Sequence, residues 1–394
     1  MTSPRRAIGF MTGTSLDGID AALVTTRGVG RDLAVSAIEL ASRSFGPEID
    51  DLRRFAAGEP LPAAAIADIA AAVGRRHAAL IRDVWPDAEP DLVVLHGQTV
   101  THRPPRSWQL VDPWPVAATV ACPIACDLRH ADLAAGGRGA PITPRADAIL
   151  YRDLRREDDT TVVVNLGGFV NVTLLPETDP DHAIGFDCCP CNHLLDAASR
   201  AALDAPFDAD GKVTATGTID PRTAGTLQET IAGLAREARS GGDGDEHRDA
   251  AVAVAEAAAR AGRVADGFAT IAAAIAAATV DPVARRLDDA ALPPPRRWIL
   301  AGGGTRNRGL VDRLTETIER RWPGSVVEAG IVAGVPPEGR EAAAMAVLGL
   351  LAMDGVPVTT AASTGRDSRI PADGLWIRRP ISEILPTPPP LHSI

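Results

Sequence analysis

The sequence predicts an α/β protein of two domains built on one duplicated plan. Three observations predict it. A glycine-bearing polar turn joins two apolar runs twice, first between residues 7–11 and 19–24, then between 161–165 and 170–175. Short buried runs such as 92–95 and 298–301 alternate with stretches of helical apolar spacing. The chain has 394 residues, more than one comfortable core.

In order along the chain, residues 7–25 read as strand, tight turn, strand, and 34–45 as a further strand. Apolar spacing predicts a helix over 62–84. Residues 92–95 read as a buried strand ending in His96-Gly97-Gln98-Thr99. Residues 113–121 read as helical and 127–147 as a Gly-rich polar segment. The opening pattern then returns: a strand over 161–165, a turn at 166–169 and a strand over 170–175. Residues 184–187 are a strand end leading into a helix around 192–203. The stretch 239–249 reads as a polar loop, followed by one long helix over roughly 250–288 and a break at Pro293-Pro294-Pro295. Residues 298–301 are a strand and Gly302-Gly303-Gly304 a turn. Asn307 opens a helix, and 338–353 is another. The tail from Pro386 is proline-rich and reads as loosely held.

Composition narrows the partners. The net charge is −11, with 40 Lys and Arg against 51 Asp and Glu, so no nucleic acid is expected. The cysteine count is 5, an odd number, and no signal-type apolar segment opens the chain; this points to reduced thiols in a cytoplasm. No apolar run reads as membrane-spanning, because Arg, Glu and Asp interrupt the alanine-rich stretch 252–278. Cys188-Cys189-Pro190-Cys191 lacks a second cluster at zinc spacing, so metal binding there is not expected.

The most informative stretch is the first turn, Gly13-Thr14-Ser15-Leu16-Asp17-Gly18-Ile19-Asp20. Its bare backbone N–H groups and hydroxyls suit phosphate oxygens, and its carboxylates suit the Mg²⁺ that accompanies them. The bland alternative is a hairpin turn with satisfied polar groups. A Walker-type loop is excluded, because Lys212 is the sole lysine and lies in no such pattern. If ATP binds, then hydroxyls, backbone amides, Mg²⁺ and arginine must neutralise its phosphates.

Together the motifs M-T-G-T-S-L-D-G-I-D (11–20), H-G-Q-T (96–99), D-L-R-H-A-D-L-A-A-G-G-R-G-A-P (127–141), N-L-G-G-F-V-N-V-T (165–173), G-F-D (185–187), G-G-G-T-R-N (302–307) and P-P-E-G-R-E (336–341) resemble the 1,6-anhydro-N-acetylmuramic acid kinases. That family lies in the actin/hexokinase-type ATPase superfamily. The resemblance implies two ribonuclease-H-like domains, each a mixed sheet flanked by helices, with a central cleft. It implies domains at 1–128 plus 356–394 and at 129–355. It also implies an ATP-dependent kinase that opens the anhydro bridge of a small-molecule sugar with water and phosphorylates O6. Asp187 matches the catalytic base. Gly13, Thr14, Ser15, Leu16, Asp17, Gly18, Ile19 and Asp20 match the ATP segment, with Mg²⁺ near Asp17 or Asp20. Gly167, Gly168 and Asn171 match a second phosphate-side hairpin, and Gly302, Gly303 and Gly304 the nucleoside turn. Thr99, Arg129 and Glu341 match sugar-binding positions, Arg129 suiting a lactyl carboxylate. His96 is read as ordering its loop. A homodimer is what the resemblance implies for assembly.

Three features depart from the family pattern, one being that no Lys-Ser-Thr-Gly-containing segment is found and the region near 239–249 holds an acidic loop instead. Cys189-Pro190-Cys191-Asn192 stands where a glycine-bearing run is usual, and Val111 where glycine is common. A cysteine at 189 has room to crowd the sugar or shift the loop, and the favoured reading is that Cys189 and Cys191 replace glycines in an unchanged backbone. Another anhydro-sugar such as levoglucosan, or an ATPase or nucleotide sensor without sugar turnover, stays open as an alternative.

Overall fold

The computed structural model describes residues 3–13, 16, 18–156, 158–176, 179–232 and 247–377. Contacts divide the chain into two units. The first holds the described residues up to Gly139, Glu341–Thr359 and those from Arg366 onward; the second holds Ala140–Arg340 and Thr360–Gly365.

The first unit carries β1 (Arg5–Thr12), β2 (Gly18–Arg27), β3 (Ala34–Ser44), β4 (Leu92–Arg103), β5 (Arg106–Leu110) and β6 (Ile124–Cys126), with a late strand, β12 (Leu375–Ile377). Among the described residues its sheet runs β12-β6-β4-β1-β2-β3, and β5 pairs with β4. β1, β2 and β3 form an antiparallel meander, while β1, β4 and β6 run parallel. The second unit repeats this plan with β7 (Thr160–Leu166), β8 (Phe169–Leu175), β9 (Ile184–Pro190), β10 (Pro295–Ala301) and β11 (Val326–Glu328), in the order β11-β10-β7-β8-β9. Again the first three are antiparallel and the next two parallel. Each unit is therefore ribonuclease-H-like, and the duplication read from the two hairpins is a duplication of topology.

Strand character follows burial. β7 is buried along its whole length, as its unbroken apolar run requires of a central strand covered on both faces. Trp298, Phe268, Leu194 and Ile275 join it in the second core, while Ile8, Phe10, Leu23, Leu95 and Trp85 build the first.

The unit boundaries differ from the sequence expectation at 128/129 and 355/356. The short helix His130–Ala134 stays with the first unit, and so does nearly all of the helix Arg340–Met353. The reason is steric. A Cβ at Gly9 in β1 would overlap the Ala342 carbonyl oxygen and the Ala346 nitrogen, and one at Gly349 would overlap the side chains of Leu92 and Val94. At Gly9 the β1 backbone lies on the helix backbone, and at Gly349 the helix takes in side chains of β4, each contact falling on a residue without a Cβ.

The long helix expected over 250–288 is two helices, Arg248–Arg260 and Val264–Asp289. Gly262 takes a positive φ of 67°. The Gly262 amide then donates to the Ala259 carbonyl and the Arg263 amide to the Ala258 carbonyl, the double closure that ends a helix at a left-handed glycine. Val264–Asp289 is, contrary to the sequence reading, long and apolar enough to cross a membrane, and 83% of its apolar window is buried inside the protein. The stretch expected over 113–121 is helical only at Trp114–Ala117. Of the polar loop at 239–249, residues 239–246 lie outside the described residues, as does the tail from Pro386.

Gly9→Val should lower the thermal midpoint by about 5 °C or more, since overpacking against backbone has no cheap relief. Gly225→Ala, in the helix Pro221–Ile231 with nothing within 4 Å of the added carbon, should hold or slightly raise it. Scanning calorimetry of the two variants checks the contrast.

Candidate active site

Two clusters of polar groups form, one in each unit. In the first, β1 ends at Thr12, whose hydroxyl donates to the Gly97 carbonyl. Gln98 Nε2 donates to the carbonyls of Gly13 (3.2 Å) and Thr99 (3.2 Å). The first turn and the H-G-Q-T segment are thus one assembly. Of the predicted ATP segment, Thr14, Ser15 and Asp17 lie outside the described residues. Leu16 has φ 55° and packs its side chain with Leu52, Ile69, Val73 and Leu110. Ile19 is fully buried in the first core. These two contribute main chain at most. Gly18 approaches β3 so closely that a Cβ would lie 2.8 Å from the Arg43 carbonyl. Asp20 is half-buried on β2, opposite Met11 and Ser42.

Beside this turn lies Arg129, half-buried at the N-terminus of the helix His130–Ala134. Its Nε (3.2 Å) and Nη2 (2.9 Å) both donate to His96 Nε2, and its Nη1 donates to the Gly139 carbonyl at 2.7 Å. His96 Nδ1 meets the Gly97 carbonyl at 2.9 Å, so its partners assign the proton to Nδ1 and leave Nε2 as acceptor. Burial, with the Arg129 charge second, pushes the His96 pKa down to about 3. The imidazole is therefore neutral and serves as a fixed acceptor for the guanidinium. A polar ladder runs alongside. Gln109 Nε2 donates to Thr99 Oγ1 (3.3 Å) and Ser107 Oγ (2.9 Å), and His102 Nδ1 meets Ser107 Oγ at 2.8 Å. The side-chain oxygens of Gln98 and Gln109 are buried with no partner among the described residues, the mark of acceptors arranged for something else to satisfy. Sequence reading missed Gln109, Ser107 and His102; their only signal was alternation on the β4–β5 hairpin. Val111 packs beside Gly97, where an added Cβ would lie 2.9 Å from its Cγ1. Glu341 is half-buried in the first turn of Arg340–Met353, where a carboxylate complements the helix dipole.

In the second unit, β7 and β8 pair Asn165 with Asn171, and β8 and β9 pair Asn171 with Asp187. Asn171 Nδ2 donates to Asp187 Oδ1 and orients that carboxylate, which is 9% exposed. The Gly167-Gly168 turn receives amides from the next helix: Cys191 N to Gly168 O (2.8 Å) and Asn192 N to Gly167 O (3.1 Å). Gly302, at φ 85°, lies over Leu166, and a Cβ on Gly302 or Gly304 would come within 2.8 Å of the Leu166 carbonyl oxygen. Of the three glycines 302–304, Gly303 has no described residue within 4 Å of an added carbon. Asn165 is 3% exposed, and its Oδ1 has no partner among the described residues. It sits between both glycine turns and was passed over in the sequence, although it opens the N-L-G-G motif.

The surroundings of Cys189 speak against the crowding alternative. Cys188, Cys189 and Cys191 are fully buried in the second core; Cys189 Sγ lies 3.9 Å from the Ile275 carbonyl. Burial pushes the Cys189 thiol up to about 12. Cys191 has φ −130°, so nothing in its backbone demands glycine. These sulfurs fill a core rather than crowd a ligand.

Two ribonuclease-H-like units, each ending its central hairpin in a glycine-bearing polar turn, define the actin/hexokinase class of α/β proteins. Within that class, the family described as anhydro-N-acetylmuramic acid kinase matches residues 5–372. The anhydro-N-acetylmuramic acid kinase of Parasynechococcus marenigrum is 34% identical, over 91% of this chain and 96% of its own. The protein of that name from Rhodopseudomonas palustris is 33% identical, over 95% and 99%. Among solved structures, component A of the Acidaminococcus fermentans (R)-2-hydroxyglutaryl-CoA dehydratase aligns at 10% identity with a TM-score of 0.43, covering 87% of this chain and 96% of that one. The chain belongs to the anhydro-N-acetylmuramic acid kinase family.

Two buried histidines, His77 and His96, and the half-buried His102 make stability depend on pH. His96 is lowered to about 3, and His77 and His102 to about 4, each mainly by burial. Folding holds them neutral, so their contribution is complete above the unfolded value of 6.5 and is lost as pH falls toward 4. His77 stacks on Phe10, with ring centroids 4.7 Å apart. Chemical unfolding of wild type and His77→Phe between pH 7.5 and 4.5 should give a shallower decline in the variant. The difference should approach about 1.4 kcal/mol per pH unit.

Proposed function

We propose that this chain is an ATP-dependent kinase that opens the 1,6-anhydro bridge of anhydro-N-acetylmuramic acid and yields N-acetylmuramic acid 6-phosphate. The observation that carries it is Asp187, a nearly buried carboxylate that the structure places in the middle of β9 rather than at its end, oriented by Asn171. Family membership supplies the substrate class. Asp187 takes a proton from the water that attacks C1. The C1–O6 bond breaks as C1–OH forms. O6 takes the γ-phosphoryl group as its bond to the β-phosphate oxygen breaks, leaving ADP.

The residues present fit a nucleotide. Gly303 is open to close approach, Asn165 holds an unpaired buried amide oxygen, and the turn at Gly167 and Gly168 is bare of side chains. Gly302 and Gly304 act by letting this turn lie on β7. Asp20, with Asp17, would hold Mg²⁺, an ion that takes oxygen ligands from one or two carboxylates, phosphates and water. Bound there, Mg²⁺ would neutralise phosphate charge. Lys212 takes no part: it is exposed and paired with Asp210 at 3.2 Å. Arg129, held on His96 and Gly139, meets the lactyl carboxylate, with Thr99 and Gln109 offering hydrogen bonds beside it. One ground for a sugar without a carboxylate was the pair Cys189 and Cys191, and their burial in the core speaks against it.

ADP release that needs anhydro-N-acetylmuramic acid, with one phosphate appearing on its O6, tests the assignment; ADP release indifferent to the sugar would overturn it. Asp187→Asn should retain ATP binding and lose about 10²–10⁴-fold in kcat. A near-normal kcat would remove Asp187 from the reaction.

Gly303→Val should raise the KM for ATP about tenfold or more by filling the approach to the turn, with the thermal midpoint unchanged. Lys212→Ala should leave the KM for ATP within about twofold. Steady-state kinetics with ATP varied checks both.

A further inference from the structure

Arg129 is gripped on one side by His96 and on the other by the Gly139 carbonyl. What holds Gly139 is a second buried carboxylate. Asp132 is fully buried, and its Oδ2 accepts the Gly139 amide at 2.7 Å. Its Oδ1 accepts the Thr359 hydroxyl at 2.5 Å and lies 3.8 Å from Arg366 Nε. Arg366, itself 6% exposed, donates to the Thr359 hydroxyl and carbonyl and to the carbonyls of Asp367 and Ile370. The Asp367 amide in turn donates to the Ala135 carbonyl. A Cβ at Gly137 would overlap the Asp132 carboxylate, so the loop closes on that group without slack. All of these residues lie in the first unit.

We propose that Asp132, Thr359 and Arg366 form a latch that sets the position of Arg129 through Gly139, and thereby the preference for a carboxylate-bearing sugar. The three are positioning residues. None needs to touch substrate, because each fixes the backbone that fixes the guanidinium. A displaced fork loses the paired geometry that a carboxylate rewards, while contacts to sugar hydroxyls tolerate the same shift. Residues more than two hundred positions apart in the chain therefore belong to one specificity device. The inference rests on the reading of Arg129 as the partner of the lactyl carboxylate.

Calorimetric titration of the full chain with two sugars tests it. One is anhydro-N-acetylmuramic acid. The other is 1,6-anhydro-N-acetylglucosamine, which has a hydroxyl in place of the lactyl ether. Arg129→Met should collapse the affinity ratio between them by about 10-fold or more. Arg366→Met and Asp132→Asn should each reduce the ratio by about 5-fold or more, leaving the affinity for the carboxylate-free sugar and for an ATP analogue within about twofold. Thr359→Val, which removes a single hydroxyl, should reduce it by about 3-fold and decides the matter if either charged variant fails to fold. A wild-type ratio in Arg129→Met would overturn the reading of Arg129. A collapsed ratio in Arg129→Met, with wild-type ratios in the folded latch variants, would overturn the latch alone. Equal weakening toward both sugars and ATP would reduce these residues to structural supports and would also overturn it.

Discussion

The chemistry of the second unit hangs on one buried ion pair. Arg340 donates to both oxygens of Asp147, and the two side chains are 3% and 0% exposed. Arg340 also reaches the Thr143 hydroxyl, and Thr173 Oγ1 donates to Asp147 Oδ2 at 2.7 Å. Thr173 lies on β8, two residues from Asn171 and on the same face of the strand. The pair therefore pins the strand whose amide aims Asp187. Burying two opposite charges gains little by itself, but losing one partner strands the other in low dielectric at a cost of about 3–5 kcal/mol. That asymmetry makes the pair a register lock rather than a source of net stability.

The first unit solves a similar problem with a similar device. Asp132 and Arg366 are buried together and hold the loop that seats Arg129. In both units a fully buried carboxylate stands behind a half-exposed or shallow functional group, and threonine hydroxyls complete its hydrogen bonds. Placing the charged anchors behind them gives Asp187 and Arg129 rigid surroundings.

Glycine does two distinct jobs that the sequence writes in the same letter. Gly9, Gly349, Gly302 and Gly304 are small because backbone or side chain presses on them. Gly303 is small with nothing pressing on it. Only the second kind leaves room for a ligand. Likewise Cys189 and Cys191 replace small residues of the family pattern, yet their sulfurs enter the core, where a buried thiol behaves as a compact apolar group.

Local patterns determined the two hairpins, their glycine turns, the helix over 62–84 and the Asn307 cap, because period, turn chemistry and capping act within a few residues. Motif order determined the family and pointed to Asp187 and Arg129. Pairings across the chain were beyond that reach. The split of the long alanine-rich stretch at Gly262, the membership of residues 341–353 in the first unit, the short strands β5, β6, β11 and β12, and the partners of Asp132 and Asp147 were decided only by tertiary structure. Each depends on residues far apart in sequence meeting in a dry interior. There, one hydrogen bond or one absent Cβ settles which arrangement survives.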